Sequence, residues 1–199
     1  MKTAFIGDIH GCIIELRSVI RQALLTTDHI VFLGDYVDRG MDSRLVIEEL
    51  VQLQARFPAR TTFLQGNHDL AFLKALDGDG EIDDFLKMGG AKTIRSYLTP
   101  PFSNSIKRFR ADVPESHRSF LRSLKPAYFE RGLVAVHDAR LAPDSGAFVV
   151  SGHITQAELI PKISETSALI DTGCGTVAGG RLTCFVWPTQ EWWQSDAWL

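Results

Sequence analysis

Short apolar runs that stop abruptly at Gly, Asp or His recur along the chain. Thr3 to Ile6 runs into Gly7-Asp8-Ile9-His10, Ile30 to Leu33 into Gly34-Asp35, and Thr61 to Leu64 into Gln65-Gly66-Asn67-His68-Asp69. Further on, Leu133 to Val136 meets His137-Asp138, Phe148 to Val150 meets Ser151-Gly152-His153, and Ala168 to Ile170 meets Asp171-Thr172-Gly173. Unbroken apolar runs of this length predict strands buried on both faces. Between the first three, Ile13, Leu16, Val19, Ile20, Ala23 and Leu24 are helically spaced. So are Leu45, Val46, Leu50, Val51 and Leu53, with Ser43 as the N-cap of that second helix. Strand, helix, strand, helix, strand predicts βαβ units and a parallel sheet, hence an α/β fold.

The middle of the chain is patterned differently. Leu70 to Leu76 predicts a helix closed by the turn Asp77-Gly78-Asp79-Gly80. Ile82 to Met88 and Thr93 to Leu98 predict short helices around Gly89-Gly90, and Ser116 to Leu124 a further one after the break at Thr99-Pro100-Pro101. Residues 71–125 thus read as a mostly helical insertion. Beyond it, Tyr128 to Glu130 and Leu133 to Val136 flank Arg131-Gly132 as a hairpin. Leu182 to Trp187 is a strand, with Glu191 to Gln194 returning after Pro188. Trp187, Trp192, Trp193 and Trp198 gather there, as packing at a sheet edge.

The 199 residues predict a single domain, 1–199, with 45% apolar and 23% charged residues. A net charge of −3 gives no general affinity for nucleic acid. Cys12, Cys174 and Cys184 are too scattered for a disulfide framework or a zinc site and read as small buried residues in a reducing cytoplasm. The apolar stretch before Asp8 is too short for a signal sequence, and no run of about 18 apolar residues is present to cross a membrane.

In a parallel sheet the carboxyl ends of the strands share one rim, where sites form. Asp8, His10, Asp35, Asn67, His137 and His153 converge there. Two carboxylates, three imidazoles and an amide oxygen suit borderline divalent metals. Six ligands fit two ions sharing a bridging carboxylate better than one ion with open positions.

Gly7-Asp8-Ile9-His10-Gly11, Gly34-Asp35-Tyr36-Val37-Asp38-Arg39-Gly40 and Gly66-Asn67-His68-Asp69, in that order, resemble the calcineurin-like metallophosphoesterases. The Asp38-Arg39-Gly40 segment is similar to the phosphoprotein phosphatase branch in its small bacterial and phage form. Val136-His137, Gly152-His153 and Ile170-Asp171-Thr172-Gly173 extend the likeness over residues 3 to 187. The resemblance implies central β-sheets packed as a sandwich and flanked by helices. It implies two divalent ions, manganese first, with iron, zinc, cobalt or nickel as alternatives. Asp8 and His10 would hold the first ion, Asp35 would bridge, and Asn67, His137 and His153 would complete the second. His68 matches the general acid, Asp38 the carboxylate orienting it, and Arg39 a phosphate-binding arginine beside Asn67. A hydroxide activated by both metals would attack phosphorus in line, with no phosphoenzyme.

The sequence departs from this pattern in one stretch. Where the family reads Val-His-Ala-Gly, this chain has Val136-His137-Asp138-Ala139-Arg140. Only 15 residues separate His137 from His153; the resemblance implies a second phosphate-binding arginine in this stretch, and Arg140, the only arginine there, is the candidate to replace it. Asp138 reads as a turn residue, Asp69 as a helix cap, and His29 and His117 lie outside every motif. The expected substrate is a phosphomonoester, phosphoserine or phosphothreonine in a protein or a small phosphoester. The alternatives are a dinucleoside polyphosphate or a cyclic or diester phosphate, or a metal-binding regulatory module without turnover. The oligomeric state is left open.

Overall fold

The computed structural model describes residues 1–78 and 82–197; Asp79 and Gly80 of the expected turn, and Trp198, lie outside the described residues. The first sheet is built from β1 (Thr3–Ile6), β2 (His29–Phe32), β3 (Thr61–Phe63), β9 (Thr183–Trp187) and β10 (Trp192–Gln194), in the order β10-β9-β1-β2-β3. β1, β2 and β3 run parallel, joined by α1 (Ile13–Thr26) and α2 (Ser43–Arg56), so the two expected βαβ units are present. The second sheet has the order β4-β5-β6-β8-β7, from β4 (Ala127–Glu130), β5 (Leu133–Val136), β6 (Phe148–Ser151), β7 (Lys162–Ile163) and β8 (Ser167–Leu169). Its three central strands are parallel, and β4 with β5 forms the expected hairpin.

Alternation within the apolar runs divides them between two cores. Phe5, Val31, Phe185, Ala135, Val150 and Ala168 point between the sheets and make the sandwich interior. Ala4, Ile6, Ile30 and Phe32 point the other way, onto α1, α2 and the helical layer. Burial on both sides is why these strands lack the polar alternation of a half-exposed sheet.

Residues 71–125 do not sit outside this core. α3 (Asn67–Asp77), α4 (Ile82–Phe85), α5 (Ala91–Tyr97), α6 (Ser105–Asp112) and α7 (Glu115–Arg122) close over the first sheet. Phe72, Phe85, Tyr97 and Phe109 form one aromatic cluster. Phe120 carries the contact on to Phe63 and Tyr36. The helix expected over Ile82 to Met88 stops at Phe85, followed by a single π turn, Leu86–Gly90, in which Gly89 has φ 104°. At the far edge Trp193 packs on the helical core and Trp187 on Phe148, while Trp192 stays exposed. All three cysteines are buried and unpaired. No helix is long and apolar enough to cross a membrane among the described residues.

Ser43 is not the N-cap. It is the first residue of α2, behind Asp42, and its hydroxyl accepts the Asp38 N–H at 3.1 Å.

Candidate functional site

Each parallel strand delivers polar residues to the same rim. Asp8 and His10 follow β1, Asp35, Asp38 and Arg39 follow β2, and Asn67 and His68 open α3 after β3. From the other sheet His137 follows β5 and His153 follows β6. The chain turns sharply to make this fit. His10, Asp35, Asp38, Arg39 and His153 all have positive φ, between 45° and 71°, a conformation unusual for residues other than glycine. Glycines let backbone and carboxylates meet: a Cβ on Gly66 would stand 2.1 Å from Asp35 Oδ1, and one on Gly152 2.0 Å from Asp8 Oδ1.

Two groups of close ligand atoms share Asp35. His10, Asp35 and His68 form one, and Asp35, His137 and His153 the other, with ligand-capable atoms within 4.8 Å of one another in each. The His10 Nδ1–H donates to Val37 O at 2.9 Å and the His137 Nδ1–H to Leu33 O at 3.0 Å. These carbonyls fix both rings so that Nε2 faces Asp35 Oδ2, at 3.8 Å from His10 and 3.4 Å from His137. A backbone carbonyl behind one ring nitrogen is the usual support of a ligating imidazole. Asn67 Oδ1 lies 3.0 Å from His137 Nε2 and 3.0 Å from His153 Nδ1. Asp8 stands back from both groups, and its carboxylate accepts the His153 N–H.

The electrostatics suit a cation. Burial holds His10 down at about 3 against the pull of Asp35, which leaves Nε2 with a free lone pair. Burial opposes charge on His137, yet its bond to Asp35 and the fields of Asp35, Asp8 and Asp69 push it up to about 10. Burial would raise Asp35, but the hydrogen bond and charge of His137, with His10 and His68, bring it down. Burial, and next the charge of Asp171, raises Asp8. A cluster of carboxylates this buried draws a proton onto His137, the role a divalent ion would take over. Carboxylate and imidazole donors in two groups that share Asp35 are a set that suits divalent ions.

Behind this rim, the His68 Nδ1–H donates to Asp38 Oδ2 at 2.7 Å, and Nε2 lies 3.1 Å from Arg39 Nη2. The other arm of Arg39 donates to Thr176 Oγ1 at 2.7 Å. Arg140 forks onto Asp138, with Nη2 2.6 Å from Oδ2, and holds that carboxyl down at about 2. Asp138 also caps its own turn, as expected, and lies 3.6 Å from His153 Nε2. Every residue expected at the site therefore lies on this rim or directly behind it.

A calcineurin-like phosphoesterase family model matches residues 1–157. The chain belongs to this family. Curated relatives of the chain include the serine/threonine-protein phosphatase 6 catalytic subunit of Drosophila melanogaster. That one is 41% identical over 64 residues, 32% of this chain and 21% of the relative. A protein phosphatase 2A catalytic subunit of Dictyostelium discoideum is 33% identical over 98 residues, 49% of this chain and 31% of that one. The matched part thus spans less than a third of either relative. A solved chain described as a candidate diadenosine tetraphosphatase shares the fold at TM-score 0.70 and 19% identity, covering 99% of this chain and 94% of its own.

Four further residues act on the rim: Asp69 and Asp171, which stand in the sequence motifs without these contacts being signalled, and Thr93 and Thr176, which no motif includes. Asp69 does cap α3, but it also takes the N–H groups of Asp35 and Tyr36. Asp171 joins Gly173 N–H to the Thr155 hydroxyl beneath Asp8. Thr93 and Thr176 reach Asp38 and Arg39 from far along the chain. Their partners are set by the fold, and no local spacing signals them. His29 and His117 bond to Thr62 and to Tyr97 and Glu48, away from the rim.

Proposed function

We propose that this protein hydrolyses phosphomonoesters, of the phosphoserine and phosphothreonine type, with two divalent ions, manganese first. The observation that carries the reading is the pair of imidazoles, His10 and His137, each pinned by a backbone carbonyl so that Nε2 faces one shared carboxylate, Asp35. In it Asp8, His10 and Asp35 would hold one ion, and Asp35, Asn67, His137 and His153 the other. When bound, the ions make water a nucleophile near neutral pH and draw charge from the phosphoryl oxygens.

The rest is done by side chains. Arg39, freed from His68, binds a phosphoryl oxygen beside Asn67. His68 gives a proton from Nε2 to the departing alkoxide while Asp38, on Nδ1, steadies the positive ring. The partner is a phosphorylated protein or small ester in the cytoplasm, with neither nucleic acid nor membrane.

The test is hydrolysis by metal-stripped protein with Mn²⁺ added back. The panel is p-nitrophenyl phosphate, a phosphoserine peptide, diadenosine tetraphosphate and a 2′,3′-cyclic nucleotide. Mn-dependent turnover of the first two is expected. Turnover confined to the last two would replace the monoester reading with a polyphosphate or diester one, and binding of Mn²⁺ without turnover of any would leave a regulatory module.

Arg140 is the second phosphate contact in this reading. Its side chain is 73% exposed and its Nη2 lies 3.2 Å from His153 Nε2, at the mouth of the site. Arg140→Ala should raise KM for the peptide and lower kcat/KM about tenfold, with kcat little changed. A kcat/KM within about twofold of the parent would remove Arg140 from substrate binding.

A further inference from the structure

Asp38 is held from two sides. His68 takes Oδ2; on the other side stands Thr93, fully buried on α5 and more than fifty residues away. The Thr93 hydroxyl donates to Asp38 Oδ1 at 2.6 Å and its oxygen accepts the Asp38 N–H at 2.9 Å. A hydroxyl has one proton. Because that of Thr93 goes to Asp38, the 3.0 Å contact with Ser43 Oγ must be made by the Ser43 proton. Donation thus runs from Ser43 to Thr93 to Asp38 Oδ1, while the His68 Nδ1–H arrives at Oδ2. The same helix holds the next residue: Lys92 Nζ donates to Arg39 O at 2.5 Å. Asp38 and Arg39 are consecutive non-glycine residues at φ 71° and 64°, so the loop keeps this shape only because something grips it. Ile94 and Tyr97, both buried, anchor α5 in the helical core.

We infer that Thr93 is a positioning residue for proton donation: by engaging Asp38 Oδ1 and the Asp38 N–H, it fixes the carboxylate plane so that Oδ2 meets His68 Nδ1. This makes α5 a working part of the site as well as a cover for the sheet. The inference rests on the reading of His68 as the proton donor, and the experiment separates the two.

Thr93→Val keeps the shape and removes the hydroxyl. Phenyl phosphate, whose leaving group has a pKa of about 10, needs the proton far more than p-nitrophenyl phosphate does. Relative to the parent, Thr93→Val should lower kcat about tenfold more for phenyl phosphate than for p-nitrophenyl phosphate, with KM for both within about twofold. Thr93→Ser should restore the ratio, which a packing role for the missing methyl would not allow. An independent readout uses metal-free protein with ¹⁵N-labelled histidine. The His68 Nδ1–H proton, deshielded by its short bond, should move upfield in Thr93→Val and return in Thr93→Ser. Should Thr93→Val fail to melt cooperatively, Ser43→Ala, which deprives Thr93 of its own donor, serves in its place, with an expected change in the ratio of about threefold. His68→Asn is the reference. If it lowers both substrates equally, the donor reading of His68 fails. If it discriminates between them while Thr93→Val neither discriminates nor moves the His68 resonance, the role given to Thr93 is overturned.

Discussion

Asp35→Asn should abolish turnover while the protein remains folded. Asp35 is the one carboxylate in both close ligand groups, with Oδ2 3.4 Å from His137 Nε2, 3.8 Å from His10 Nε2 and 3.9 Å from His68 Nε2. Its Oδ1 accepts the His68 N–H at 3.0 Å, so the same side chain also sets the start of α3. Asparagine keeps the shape and one oxygen but loses the charge, and places an NH₂ group where a second lone pair is needed. The buried carboxylates would then have one negative charge fewer to hold cations, and the side chain only one oxygen to offer them. The expected drop in kcat/KM is about 10³-fold or more, together with loss of at least one bound Mn²⁺ per chain. Titration calorimetry and elemental analysis read the metal, and far-ultraviolet circular dichroism reads the fold. Two ions bound at parental affinity with more than about a tenth of the activity would refute the bridging role.

The largest effect on stability is expected at Asp69, which touches none of the ligand atoms grouped around Asp35. Its carboxylate is fully buried. Oδ2 accepts Asp35 N–H at 2.8 Å and Gly66 N–H at 2.9 Å, and Oδ1 accepts Tyr36 N–H at 2.9 Å. Burial, then the nearby charge of Asp35, pushes its carboxyl up to about 7. What it contributes to the fold is a fixed set of acceptors for these three N–H groups. Asp69→Ala leaves three buried N–H groups without a partner and should cost about 4 kcal/mol, a fall in Tm of roughly 10 °C for a chain of this size. Asp69→Asn retains one acceptor oxygen and should lose about half as much. Thermal melts of the metal-free proteins check this. A loss below about 1 kcal/mol in Asp69→Ala would mean that water replaces the carboxylate and that the loop does not depend on it.

Much of the site was legible because strand ends and polar residues coincide. The runs ending at Asp8, Asp35, Asn67, His137 and His153 carry both the fold and the ligands in one local signal. Elements that depend on distant partners were not legible. α6 reads Ser-Ile-Lys-Arg-Phe-Arg-Ala-Asp, with little apolar periodicity, and owes its place to Phe109 lying against Phe72 and Tyr97. β7 is two residues long and exists through its pairing with β8. Ser43 looks like a cap by position, but the Asp38 loop, folded back over α2, claims its hydroxyl. The boundary of the helical region was readable from composition, whereas its share in the main core depends on aromatic contacts between helices. Asp69 could be read as a cap, since three residues set that spacing. Its grip on Asp35 and Tyr36 could not, because that contact spans the βαβ crossover.

The pairing of β1 bears on how the chain matures. β1 lies between β2, which follows it closely, and β9, which comes far along the sequence: Thr3 pairs with Trp187 and Ile6 with Cys184. During synthesis the strand that leads to Asp8 and His10 therefore keeps one open edge until β9 has been made. Contacts between such distant segments form late, because loop closure opposes them. The loop after β1, whose Gly7 N–H donates to Thr183 O, settles only once β9 has docked, so a motif made before β9 reaches its working shape after it.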